Sequence, residues 1–549
     1  MPTARPTAHP TAPTVRPRRR RRLALIGLAV AVVVAVLVAA GAIVFARGAL
    51  STAGQVTFDR ELAIPPLAES RVEADGTRVF ALEMQEGTTD LGQGGPTPTL
   101  GVNGSFLGPT LRAERGERVR VDVTSSLGET STLHWHGMRL PAAMDGGPHQ
   151  MVDPGQTWSP TWTIDQPAAT LWYHPHLHGR TADHVYRGLA GLFLVDPGQG
   201  DGADAADAAH DDLPGDYGVD DVPLVIQDKS FHPDGRLDDA PPLFSAVGVL
   251  GDTVLVNGTP GPYLDVTTER VRLRLLNGSN ARVLNLGFTD GRDVALIASD
   301  GGLLSEPVRT DRITLSPGDR AEIVVDVEPG ERAVLRSHPQ DLGTNPVTAR
   351  FSGGDDTLDV LELRAAPDLA PSGDLPATLA GAGAEVPNVA SATATRAFSL
   401  SGQSINGEQM DRGRIDEVVE AGATEIWEVT GRDDMVHNFH VHDVQFHVLD
   451  VGGEAPPLDL QGWQDTVYLQ PGRTTRLLVT FGEHTDPTTP YMYHCHVLLH
   501  EDFGMMGQFV VVAPGDDAPE RIEVPDDATH PGHDAAGDGT GPRRTHLDH

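Results

Sequence analysis

The chain has 549 residues, more than one ordinary domain holds, so two to four domains are expected. Its 61 Gly and 43 Pro argue against a helical bundle and for a β-rich architecture with many turns. A formal charge of −36 makes the body of the chain repel nucleic acid and anionic surfaces.

The first feature in chain order is an apolar segment behind a basic flank. Arg16 and Arg18–Arg22 close the basic stretch 1–22, and Leu23–Ala46 then runs for 24 residues without a charge. At ~1.5 Å per residue such a helix crosses a bilayer. The basic flank stays in the cytoplasm, which places the remainder outside the cell membrane on a single-pass anchor. A cleaved export signal is the alternative; its apolar core is usually shorter, about 7–15 residues, although Ala40-Gly41-Ala42 resembles a cleavage site. The only cysteine, Cys495, rules out an intramolecular disulfide.

Strands and turns follow. Arg118–Val123 alternates polar and apolar residues, the period of a half-buried strand, and Arg270–Leu275 does the same. Glu425–Val429 is a weaker echo. A short loop after each leads to a second strand, at Thr132–His136, Arg282–Leu286 and His437–His442. Closing strands are expected at Gly191–Val195, Ile323–Val327 and Gln508–Val512. The pattern predicts three diverged copies of one β-sandwich, at 56–197, 222–364 and 398–514. A Gly/Ala/Asp linker, Gly198–Asp221, and an Ala/Pro/Ser/Gly stretch, Ala365–Ala397, separate them. The acidic tail 515–549 is expected to be disordered, and His530, His533, His546 and His549 in it to be solvated.

The first and third copies are dense in histidine where the middle copy has Leu284-Asn285-Leu286. Four non-overlapping H-x-H pairs occur: His134/His136, His174/His176, His440/His442 and His494/His496. In a strand, residues i and i+2 share a face, so each pair can aim two imidazoles at one place. Eight imidazoles exceed one metal's needs and suit a cluster of about three, and all-His ligation favours copper. Cys495 lies between His494 and His496 and leaves the opposite face, where it can meet His437 and His500. Two His, a thiolate and a more distant Met505 form a blue-copper ligand set. A structural zinc site would prefer four ligands and several cysteines.

With these motifs the chain resembles the three-domain multicopper oxidases from about residue 56 to 514. The nearest subgroup is the bacterial cuprous oxidases and bilirubin-oxidase-like laccases. Thr132–Gly137, Asp145-Gly146-Gly147-Pro148, Gln166–Thr170 and Ile297–Leu304 read much like that subgroup. The resemblance implies an all-β fold of three consecutive cupredoxin-like Greek-key sandwiches; the residues themselves add that the middle one lacks copper ligands and that one transmembrane helix precedes the three. It implies four copper ions. Type 1 copper would take His437, Cys495, His500 and axial Met505; type 2, His134 and His440. The type 3 pair would take His136, His174 and His496 on one side and His176, His442 and His494 on the other. Dioxygen would receive four electrons from a small reducing substrate or Cu(I), with Asp145 and Glu501 supplying protons.

Cuprous oxidases of the subgroup typically carry a Met-rich insert over the type 1 site, and this chain, with ten Met, has no such run. Asp433 and Met435 match two positions of their substrate-copper site. The expected activity is therefore laccase-like oxidation of phenolic or other organic reductants. Cuprous oxidation is the alternative, and a copper store or copper-free scaffold the remaining one.

Overall fold

A computed structural model of the chain describes residues 17–198, 212–242, 245–379 and 386–524. Most of the expected linker and tail, including His530, His533, His546 and His549, lies outside the described residues. Helix α1 (Pro17–Arg47) carries the apolar segment. Its stretch Arg22–Arg47 contains an 18-residue window with a mean hydropathy of 3.1, and that window is nowhere buried against the rest of the chain.

Among the described residues, six sheets form three sandwiches. In the first, Arg78–Thr89 pairs in parallel with Arg118–Ser126, whose residues alternate between core and surface as expected. The facing sheet runs in the order Leu111–Glu114, Gly191–Asp196, Ala169–His174 and His134–His136. Between the sheets Trp135 lies 5.6 Å from Trp162 and 6.1 Å from Tyr173, ring to ring. The third sandwich repeats this plan around Trp427, with Phe398 at 4.6 Å and Phe481 at 5.8 Å. Burying side chains of this size stabilises each core by roughly 1.5–3 kcal/mol apiece.

The second sandwich departs from the alternation expected of it. Strand Arg270–Asn277 is buried on both faces beyond its first residue. Arg272 and Arg274, read as solvent-facing, point instead into a dry interface. Arg274 reaches Asp221 at 2.6 and 2.9 Å and Glu322 at 2.9 Å, while Arg272 donates to Glu322 at 2.8 Å. Thr170 of the first sandwich completes the cluster, donating to Glu322 at 2.6 Å. The second unit thus locks to the first through paired charges, which makes burial of the guanidiniums tolerable.

Two edges also lie elsewhere than the sequence suggested. Arg60–Glu61 pairs with Pro262–Thr268 of the second unit. Strand Leu358–Ala370 carries that unit beyond residue 364.

Candidate metal centre

Strand pairing brings the histidines together. His134 sits opposite His174 in one sheet, and His440 opposite His494 in another. His176, His442 and His496 lie just past the ends of their strands, where the chain turns. The four H-x-H pairs converge in one buried cluster: the ligand atoms of His134 and His136 meet those of His174, and the ligand atoms of His440 and His442 meet those of His134.

Two imidazole triads result. His174 Nε2 lies 3.3 Å from His136 Nδ1 and 3.4 Å from His496 Nε2. His494 Nε2 lies 3.0 Å from His176 Nε2 and 3.3 Å from His442 Nε2. Between the triads, His134 and His440 present buried Nε2 atoms that have no hydrogen-bond partner. All eight rings are buried. Desolvation above all keeps His136, His174, His176, His440, His442 and His494 well below the ordinary imidazole pKa, so they are neutral.

The outward nitrogens decide which form each ring takes. His136 Nε2 donates to Asp465 at 3.0 Å, His174 Nδ1 to Pro175 O at 2.8 Å and His442 Nδ1 to Asp145 at 2.8 Å. His134 Nδ1 donates to Asp145 O at 2.9 Å, and His440 Nδ1 to Asp465 O at 2.8 Å. A neutral imidazole has one donor and one acceptor nitrogen. The inward nitrogens of these rings are consequently lone pairs, and His136 Nδ1 and His174 Nε2 face each other at 3.3 Å. Lone pairs so arranged in a buried site repel unless a cation lies among them, and outward carbonyl or carboxylate partners are the usual support of metal-bound histidine. The residues fit copper.

A second group lies on the other side of Cys495. Its Sγ is 3.7 Å from His437 Nδ1 and 3.6 Å from His500 Nδ1. His437 Nε2 is held by Asp433 at 3.0 Å and His500 Nε2 by Ala246 O at 3.0 Å, so both Nδ1 atoms turn to the sulfur. Burial raises the thiol pKa, but His437 and His500 outweigh it and bring it down to about 6. Met505 is fully buried in the same apolar cluster, and its carbonyl accepts from Cys495 N at 3.1 Å. Met506 is buried too, paired across the strand with His494.

The carboxylates fall close to these groups. Asp145 contacts His442 and lies 3.4 Å from His134. It is positioned by Gly146, whose φ of +79° and 1.9 Å clearance to Leu133 O leave no room for a Cβ. Glu501 lies 3.5 Å from His176 Nδ1 and 3.3 Å from His494 Nδ1, and burial first, then Asp502, pushes its pKa well up. Asp433 is partly exposed at the outer edge of His437 and also accepts from Met435 N. Met435 is half-buried.

Sequence reasoning passed over Asp300, Arg320, Asn438 and Asp465. Arg320 grips Asp465 at 2.6 and 2.7 Å, and Asp300 accepts from Arg320 N at 2.7 Å, so the second unit braces the His136 support. Asn438 accepts from His496 N at 2.6 Å. Two signals existed: Asp300 falls in the quoted stretch Ile297–Leu304, and Asn438 within the His437–His442 motif. Asp465 carries no motif at all.

Three family profiles described as multicopper oxidase match residues 83–200, 234–338 and 383–515. The chain is 36% identical to a protein named multicopper oxidase mco from Staphylococcus epidermidis, over 82% of this chain and 92% of that one. It is 34% identical to a protein named cell division protein FtsP from Xenorhabdus nematophila, over 87% and 98%. Among solved structures, the laccase-like multicopper oxidase CueO of an Ochrobactrum species superposes with a TM-score of 0.73 at 35% identity, covering 82% of this chain and all of that one.

Proposed function

The chain belongs to the multicopper oxidases, copper-dependent oxidoreductases that use dioxygen, and from that premise we propose a laccase-like enzyme that oxidises phenolic or other organic reductants one electron at a time. The observation that supports it most is the pair of neutral imidazole triads beside a thiolate site, joined through the one residue Cys495. In this reading the units expected at 56–197, 222–364 and 398–514 are the three domains of the family, with Leu358–Ala370 extending the second.

His437, Cys495, His500 and Met505 would hold a type 1 copper. His134 and His440 would hold a type 2 copper; His136, His174, His496 and His176, His442, His494 would hold a type 3 pair. Copper held at these places would supply reversible one-electron chemistry at the first site and four-electron reduction of dioxygen to two waters at the second. Asp433 orients His437, and its exposed side marks where a reductant meets the imidazole edge. Cys495 gives a covalent path to His494 and His496, its neighbours in the chain. Asp145 and Glu501, each against two of the clustered histidines, hold protons beside the place where dioxygen is reduced. Asp465 and Arg320 orient His136. Helix α1 anchors the enzyme in the cell membrane, with the three sandwiches outside.

A second reading, cuprous oxidation, draws on the carboxylate and thioether of Asp433 and Met435 just outside His437. Steady-state oxygen uptake with a substituted phenol, Cu(I), Mn(II) and bilirubin separates the two. A phenol preference is expected, and Cu(I) alone supporting turnover would replace the first reading by the second. Cys495→Ser is expected to abolish both the intense visible absorption of the copper-loaded protein and its turnover. A Cys495→Ser protein that stayed blue would sink the type 1 assignment.

A further inference from the structure

Helix α1 does not leave the body on a free tether. Its last carbonyls have no intrahelical donors. Two of them are capped from the second sandwich: Arg350 Nε donates to Phe45 O at 2.9 Å and Arg350 Nη2 to Ala46 O at 2.8 Å. The same guanidinium lies 5.3 Å over the Phe45 ring, and Phe351 meets that ring edge-on at 6.4 Å. A Cβ at Gly48 would come within 2.7 Å of Phe351, so the junction packs closely. Leu50 N then donates to Asp356 at 2.7 Å and Thr52 N to Thr357 O at 2.9 Å. Only Gly48 and Ala49 stand between the helix and the first residue bonded into the body.

The residues of this latch lead directly to the type 1 site. Arg350 and Phe351 end a short helix, Pro346–Phe351, capped at its start by Asn345. Asn345 N donates to Asp434 at 2.9 Å, and Thr348 Oγ1 donates to the same carboxylate at 3.0 Å. The adjacent residue, Asp433, holds His437. The short helix is about 9 Å long, which puts the outer edge of His437 on the order of 20 Å from the end of α1. Leu23–Ala46 would extend about 36 Å against a hydrocarbon core of about 30 Å, so Arg47 lies in the outer headgroup layer. Val347, on the same short helix, is 58% exposed.

On the reading of the chain as a laccase-like oxidase, we propose that the Asn345–Phe351 face rests on the outer bilayer surface and that the type 1 site draws its electrons from a membrane-dissolved reductant, a hydroquinone bearing an apolar tail. The tail stays in the bilayer while the ring, in the headgroup layer, approaches Asp433. Two such hydroquinones each lose two electrons and two protons, and one dioxygen takes up all four of each, giving two quinones and two waters. The acidic body gains nothing from anionic lipid, so α1 and the Arg350 cap hold the face down.

The test uses the full copper-loaded chain in phosphatidylcholine vesicles. It compares the native protein with one carrying Arg350→Ala and a flexible Gly/Ser insertion between Arg47 and Gly48. Release is expected to slow oxidation of an alkyl-tailed hydroquinone about tenfold and to leave a water-soluble methoxyphenol nearly unaffected, because only the former is concentrated at the docked face. Equal rates on the tailed hydroquinone before and after release overturn the proposal. Parallel loss on both reductants does so too, since the effect would not be specific to the membrane. A native protein that oxidises neither overturns the oxidase reading and this proposal with it. A spin label on Val347→Cys gives an independent readout: it should be relaxed by a paramagnetic lipid headgroup in the native anchor and escape it after release. A label that never senses the headgroups overturns the proposal.

Discussion

Cys495 works through what it touches: two imidazole nitrogens at 3.6 and 3.7 Å and a fully buried Met505 whose carbonyl it binds. A thioether donates weakly to Cu(II) and so lowers the potential relative to a side chain that does not coordinate. Met505→Leu keeps the volume and should cost less than about 1.5 kcal/mol of stability. Redox titration is expected to show a raised type 1 potential with the blue colour kept. Met506→Leu is the control, since Met506 pairs across the strand with His494, and it should leave the potential nearly unchanged. A shift with Met506 alone would move the axial assignment by one residue. Glu501 is the second informative residue. Glu501→Gln preserves its size between His176 and His494 and removes its proton. Steady-state oxygen uptake should fall by about tenfold or more, with stopped-flow reduction of the type 1 site by substrate unchanged. Unaltered turnover across pH would remove Glu501 from the proton supply.

At the scale of elements, the sandwiches are joined by charge as well as by apolar packing. Glu322 on strand Arg320–Asp326 faces Arg272 and Arg274 on the neighbouring strand and Thr170 on the first sandwich. Glu322→Ala would leave two guanidiniums buried with one remaining carboxylate, Asp221, and is expected to destabilise the protein by about 3–5 kcal/mol. Denaturant unfolding measures it. Turnover per copper-loaded molecule at low temperature should survive, because Glu322 touches no ligand. A loss below about 1 kcal/mol would mean that water enters the interface and solvates the arginines.

The whole molecule carries a formal charge of −36, and its reductant must approach through that field. Steering by net charge is strong at low salt and is screened within about 10 Å at 0.1 M. Oxidation of a cationic aromatic amine should therefore show a kcat/KM that falls as salt rises, and an anionic phenol one that rises, with a neutral phenol flat. Stopped-flow rates across ionic strength check this. Identical salt dependence for all three would show that the region around Asp433 is screened from the net charge by nearby arginines.

The residues proposed to hold copper stand out in the sequence because their chemistry is local. H-x-H spacing, one cysteine between two histidines, and a following His500 and Met505 need no fold to be noticed. The β class and the apolar N-terminal helix were legible for the same reason, since alternation of period two and an uncharged run of 24 residues are short-range patterns. Tertiary structure decided what those patterns could not. It gathered the four H-x-H pairs from separate strands into one buried cluster, three of the histidines lying just past strand ends. It turned Arg272 and Arg274 inward, because another sandwich covers the face that alternation alone assigns to water. It brought Asp465 to His136 across 329 residues, Asp145 to His442 across 297 and Arg350 to Phe45 across 305. Contacts at such separations arise from how three sandwiches and a helix pack, and no spacing within one segment encodes them.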